Sequence, residues 1–158
     1  MSIEKVRLYL NEKGYAEKIQ EFEVSSATVE LAGLALGVEG KRIAKTLSFD
    51  VSGTPVLIVC AGDAKVNNSK FKQEFQTKAK MFDHDSVAEK IGHAVGGVCP
   101  FAVNDGVKVY LDESLKRFET VFPACGSSNS AIELSIQELE ELSNYEKWID
   151  VTKLPEEV

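Results

Sequence analysis

Residues 55–62, PVLIVCAG, are apolar at almost every position. A strand that is apolar on both faces must be buried on both faces, so this stretch reads as a central strand of a covered sheet. Just before it, RIAKTLSF at 42–49 is a second apolar run, and DVSGT at 50–54 joins the two. Together they predict a β-hairpin. A buried hairpin obliges the rest of the chain to supply neighbours at its edges and cover on its faces.

The rest of the chain supplies short pieces. VRLYLNEKG predicts an amphipathic helix closed by Gly14, and IQEFEV alternates weakly as a strand. SSATVELAGLALG predicts a second helix, with Ser25 or Ser26 as cap, Glu30 in the first turn and Gly37 at the end. NSKFKQEF reads as a short helix capped by Asn68 or Ser69, AKMF as a short strand, and DSVAEKIG as a helix from Asp85 to Gly92. VKVYLDE, FETVFPA, AIELS and KWIDV read as strands, with a turn of helix in DESLKRF. SIQELEELS carries a capping box, Ser135 three residues before Glu138. The expected architecture is α+β: one domain over residues 1–158, with a mixed, mostly antiparallel, curved sheet and short helices packed around it. A chain of 158 residues buries roughly 70% of its unfolded surface and needs no disulfide or metal for stability.

Charge and cysteine content narrow the function classes. The net charge of −7 argues against a general nucleic-acid binder. It hides an uneven distribution. Residues 64–80 hold Lys65, Lys70, Lys72, Lys78 and Lys80 against Glu74, whereas residues 133–158 hold eight acids against Lys147 and Lys153. The basic stretch is either a solvated helix face or a phosphate-facing surface. No GxGxxG, GxxxxGK[ST] or HExxH motif occurs. No run approaches the ~18 apolar residues of a spanning helix, and the N-terminus lacks a signal-peptide core. Cys60, Cys99 and Cys125 are odd in number and form no CxxC. The expectation is a reduced, cytoplasmic protein with no membrane partner, no metal and no cofactor.

Lys45 stands out inside the hairpin. At period two it shares a face with Ile43, Leu47 and Phe49. A lysine there either snorkels outward from a strand end or sits in a pocket. In a pocket its ammonium would hold an anionic or carbonyl oxygen. GHAVGGVCPF at 92–101 raises a second question, because Gly96 and Gly97 leave bare backbone in an apolar setting. The choice is between a bulge or tight turn and a loop that lets a ligand approach main chain. Pro100 keeps Cys99 out of the helical region, which makes the loop extended and stiff.

IAKTL at 43–47, VGGVCPF at 95–101 and the stretch from VYLDESLKRF to ACGSSNSAIELS resemble the YbaK/ProX family of aminoacyl-tRNA deacylases. That family is related to the editing domain inserted in bacterial prolyl-tRNA synthetases. The resemblance runs from about Val6 to Leu142. It implies a single α+β domain and hydrolysis of the ester between a wrong, small amino acid and a tRNA, such as the proline tRNA. It matches Lys45 to the family's essential lysine, Thr46 to its neighbour, and Gly96, Gly97, Val98, Cys99 and Pro100 to the GxxxP substrate loop. Gly126 matches a glycine of the second pocket loop. Implied partners are the acceptor end of an aminoacyl-tRNA and a synthetase. An activated ester needs water, positioning and oxyanion stabilisation rather than a strong nucleophile.

The second loop, CGSSNSAIEL, departs from the glycine- and basic-rich version of members that act on cysteinyl-tRNA. Ser127, Ser128, Asn129 and Ala131 imply a different pocket lining, and alanine, serine and cysteine all stay open as the amino acid removed. Cys99 invites a Cys–His reading with His93 or His84, or a place in the substrate lining. Cys60 reads as core, His84 in FDHDS as a helix start rather than a metal ligand, and Trp148 as packing. A non-catalytic tRNA- or synthetase-binding module with the same pocket is the alternative from another class.

Overall fold

The computed structural model describes residues 2–25, 28–94 and 96–155. α1 (Ser2–Glu12) is followed by a two-residue strand β1 (Gln20–Glu21) and by α2 (Val29–Leu36). The hairpin is β2 (Ile43–Val51) and β3 (Thr54–Ala61), turned by Ser52 and Gly53 at positive φ, as a two-residue hairpin loop requires. Then come β4 (Lys65–Val66), α3 (Asn68–Phe75), α4 (His84–Ile91), β5 (Lys108–Asp112) and β6 (Thr120–Pro123), with a 3-10 turn at Glu113–Arg117. The chain closes with β7 (Ser130–Ala131), β8 (Leu134–Ser135), α5 (Ile136–Ser143), β9 (Trp148–Ile149) and β10 (Thr152–Lys153).

Six of these strands form one sheet in the order β8-β6-β2-β3-β5-β9. β2 and β3 are its two middle strands, as the apolar pattern demands. β2–β3 and β6–β8 are antiparallel, while β2–β6, β3–β5 and β5–β9 are parallel. Two small antiparallel ribbons, β1–β7 and β4–β10, flank it. The fold is therefore α+β with a mixed, curled sheet, and four of the seven strand pairings among the described residues are antiparallel.

Both faces of β3 are buried. Leu57, Val59 and Ala61 join the main core with Val6, Leu10, Val87, Ile91, Leu111 and Leu139. Val56 and Ile58 join a smaller core with Phe49, Phe71, Ile149 and Val151. There Phe71 stacks between Phe49 and Phe75 at centroid distances of 5.0 and 4.7 Å. Asp112, fully buried, ties the C-terminal segment down. Its carboxylate accepts from Ser114 N–H, Val151 N–H and the Thr152 hydroxyl at 3.0, 2.9 and 2.7 Å.

The helix stops at Gly14, Gly37 and Gly92 stand where the sequence puts them, and so does the Ser135–Glu138 capping box. Three caps differ. Thr28 rather than Ser25 caps α2, Asn67 rather than Asn68 caps α3, and Asp83 rather than Asp85 caps α4. Ser26, the other α2 candidate, lies outside the described residues. In each case the capping residue has extended backbone and accepts from the N–H three positions on, and only one of several nearby polar residues can have both. AKMF does not form a strand: Met81 makes a single bridge to Phe49. AIELS splits in two, because β7 pairs with β1 and β8 pairs with β6.

Candidate functional site

β2 and β6 run together only briefly. Ile43 and Ala44 pair with Phe122 and Pro123, and then the strands part. On this side no described strand pairs with β2 again until the bridge from Phe49 to Met81. The gap between those contacts holds a cavity of ≈ 490 Å³. Six successive β2 residues, Ile43 to Ser48, line it. Alternation puts Lys45 and Thr46 on opposite faces of the strand; both reach the cavity because it sits at the uncovered edge. Thr28, the cap of α2, and Val29 and Ala32 within it form one wall, with Phe122, Ala124, Ser130 and Ala131. Gly96, Val98, Met81, Phe82 and Val87 complete the lining.

Among the described residues lining the cavity, Lys45 is the one that is charged. Its ammonium donates to the Ala64 and Gly62 carbonyls at 2.5 and 3.4 Å. These bonds fix the head at the end of β3 and leave one of its three N–H groups over. Of the two choices the sequence leaves for this side chain, the geometry is that of a half-buried, positioned cation on a cavity wall.

The glycine pair divides its work. Gly96 lines the cavity with φ +93°, a conformation that favours glycine. Gly97 is buried and faces protein. A Cβ built there would lie 2.7 Å from Gly126 C and Ser127 N and 2.8 Å from Gly126 O. Its bareness serves the contact between the two loops, and Gly126 at φ +92° is the other half of that contact.

Of the other expected site residues, Val98 lines the cavity. Cys99, Pro100 and Gly126 are buried and absent from its lining. Cys99 is fully buried, with its sulfur 3.6 Å from His93 Nε2 and 3.8 Å from the Phe101 carbonyl. Burial pushes the Cys99 and Cys60 thiols up to about 12 and the Cys125 thiol well above its usual range. None of the three is a ready thiolate. His93, also fully buried, pairs through Nε2 with the Phe101 carbonyl at 2.6 Å, and burial lowers its pKa, which keeps the ring neutral. A Cys99–His93 nucleophile is thus sealed in the core away from the cavity. His84 opens α4. No cluster of three or more His, Cys, Asp or Glu suited to a metal occurs among the described residues.

Ser127, Ser128 and Asn129 do not line the cavity, and their neighbours Ser130 and Ala131 do. The reason is local. The Asn129 amide donates to the Phe22 carbonyl, Phe22 N–H donates back to the Asn129 carbonyl, and the Ser127 hydroxyl donates to the Asn129 carboxamide oxygen. Those polar groups bind the loop to the segment after β1. The α2 wall has no local motif in the sequence: Thr28, Val29 and Ala32 reach the cavity through tertiary packing.

In the basic stretch, Lys70 is held by Asp150 and the Thr152 carbonyl at 3.0 and 2.8 Å. Lys78 and Lys80 are exposed; Lys80 precedes Met81, which lines the cavity, and lies 4.0 Å from the Asp50 carboxylate. No described helix is long and apolar enough to cross a membrane.

Comparison with known proteins places this geometry in a family. The family model for the aminoacyl-tRNA editing domain matches residues 23–142. The chain is 53% identical over 154 residues to the uncharacterized protein YwhH of Bacillus subtilis strain 168, covering 97% of this chain and 98% of that one. It is also 29% identical over 90 residues to the proline–tRNA ligase of Lysinibacillus sphaericus, covering 56% of this chain but 16% of the ligase. Among solved structures, a candidate trans-editing enzyme for prolyl tRNA synthetase superposes with a TM-score of 0.86 at 26% identity, over 96% of this chain and 97% of that one. The hypothetical protein APE2540 superposes with a TM-score of 0.83 at 27% identity, over 94% and 99%. The chain belongs to the aminoacyl-tRNA editing domain family.

Proposed function

We propose that this protein is a free-standing deacylase that hydrolyses the ester of a small amino acid mischarged onto a tRNA, with the proline tRNA as the first candidate. The observation that carries the reading is the cavity beside β2. It pairs one positioned cation, Lys45, with the bare backbone of Gly96, and its other walls are mostly small or apolar side chains. The likeness to proline–tRNA ligases and to a candidate trans-editing enzyme supports the same substrate class.

The chemistry asks little of the protein. Water adds to the ester carbonyl carbon and gives up a proton, which leaves a tetrahedral intermediate with a negative oxygen. That intermediate collapses by expelling the ribose oxygen, which takes up a proton. Lys45 stabilises the developing oxyanion or orders the terminal phosphate, and the Gly96 segment holds the ester and ribose. Oxyanion stabilisation of this kind is worth on the order of 10²–10³ in rate. The cavity of ≈ 490 Å³ lies within the ~300–1,000 Å³ range of small-ligand sites. The exposed Lys78 and Lys80, in the segment leading to the cavity-lining Met81, would meet acceptor-stem phosphates.

The test is deacylation of tRNAs charged with alanine, serine, cysteine, threonine and proline. The proposal expects one mischarged species to be cleared and correctly charged partners to be spared. Salt-dependent tRNA binding with no hydrolysis of any species would instead leave a binding module with the same pocket.

A further inference from the structure

The open edge of β2 carries unpaired backbone groups of a defined kind. In a strand, the N–H and C=O of alternate residues face the same edge. Asp50 N–H donates to Lys80 O, away from β3. Val51 and Thr54 close the hairpin on the other side. The even-numbered residues Ala44, Thr46, Ser48 and Asp50 therefore turn their backbone groups away from β3. Ala44 is met by β6, Asp50 by Lys80, and Ser48 adjoins the bridge from Phe49 to Met81. Thr46, between them, has no strand partner on this edge among the described residues, and it lines the cavity. Its side-chain hydroxyl is also buried without a hydrogen-bond partner. Thr46 thus presents an N–H and a C=O with no strand partner among the described residues at one point of an otherwise mostly apolar cavity, beside a buried hydroxyl that is itself unpaired. Unmatched buried polar groups are costly and call for a partner.

An aminoacyl group has the backbone atoms of a single residue: a nitrogen, an α-carbon and a carbonyl. We propose that it docks on Thr46 as a one-residue extension of the sheet, its α-ammonium donating to the Thr46 carbonyl and its ester carbonyl accepting from the Thr46 N–H. This is strand addition reduced to one residue. The side chain of Lys45, the one cation among the described residues lining the cavity, leaves the strand on the opposite face from that of Thr46, and its head is held by Gly62 and Ala64. The site therefore reads the α-amino group itself, whatever side chain the amino acid carries. The proposal rests on the editing reading of this cavity.

The test uses two stable analogues of the charged tRNA end: 3′-alanylamino-3′-deoxyadenosine and its propionylamino counterpart, which has the same carbon skeleton without the amine. Binding is followed by titration and by ¹⁵N shifts of the Thr46 and Ser48 amides. The alanyl analogue is expected to bind at least about tenfold more tightly, as losing a charge-assisted hydrogen bond implies, and to shift the Thr46 amide. Equal affinities, failure of both to bind, or shifts confined to other amides would overturn the proposal. If the affinity difference holds but no charged tRNA is hydrolysed, the deacylase reading fails and the aminoacyl site stands. If tRNA is hydrolysed but the affinities are equal, the reverse is true.

Discussion

Gly97→Ala tests whether the glycine loop works by packing. Gly97 is not among the positive-φ glycines, so its backbone accepts alanine without conformational strain. The whole cost is steric. The new Cβ would sit 2.7 Å from Gly126 C and Ser127 N, and ordinary carbon contacts lie near ~3.5 Å. The two loops must therefore separate by about 0.8 Å, and both contacts are main chain, which cannot rotate aside. Overpacking of this size costs about 1–3 kcal/mol, or a fall in Tm of roughly 2–10 °C at this chain length. The loop carrying Gly96 shifts with it, and displacements near 1 Å cost roughly 10² in rate. Urea denaturation and single-turnover deacylation on the same preparation measure both effects. A variant within about twofold of wild type in rate and within about 0.3 kcal/mol in stability would refute the packing argument. Gly96→Ala should behave differently, since its cost comes from a left-handed backbone, about 1–2 kcal/mol.

Asp112→Ala strips three donors of their acceptor in the core and should cost about 3 kcal/mol or more, at ~1–3 kcal/mol for each donor left unsatisfied, read from the urea midpoint. His93 is held neutral by burial, with a folded pKa below that of the unfolded chain. The stability this contributes is complete above pH ~6.5 and falls as pH drops and the unfolded state takes up the proton. His93→Gln should flatten the dependence between about pH 7.5 and 5.5. Asp63 is held below the usual carboxylate range chiefly by its hydrogen bond from Arg117. Its stabilisation is present above about pH 4 and lost below, so Asp63→Asn should make the acid limb of a stability profile shallower. Cys99→Ala should keep deacylation within several-fold, because its thiol is buried and protonated; a loss above about 10³-fold would restore a cysteine mechanism.

The hairpin is legible in the sequence because its constraint is local: an apolar run cannot sit at a surface, and a five-residue connector lets it pair only with its neighbour. Gly14, Gly37 and Gly92 are legible as helix stops for the same reason. The caps slip by one or more residues because SSAT, NNS and DHDS each offer several polar candidates and backbone geometry picks among them. The ribbon β4–β10 leaves no trace in the pattern because two residues carry no period, and the strand signals in IQEFEV and AIELS do not say that β1 and β7 pair with each other. At the site, Lys45, Thr46, Gly96 and Val98 are the expected residues that line one cavity. Gly97 passes for ligand-facing because a bare position looks the same whether a substrate or Gly126 abuts it. The α2 wall and Ser130 depend on long-range packing that local spacing does not encode.

The most direct test of the central claim is the single-turnover rate of deacylation by the wild-type protein and by Lys45→Ala, on whichever mischarged tRNA the panel selects. Loss of a positioned oxyanion partner predicts a fall of roughly 10²–10³-fold with folding intact, since the Lys45 head meets only the carbonyls of Gly62 and Ala64. Full turnover by the variant would contradict the account, and the cavity beside β2 would not be where the ester is broken.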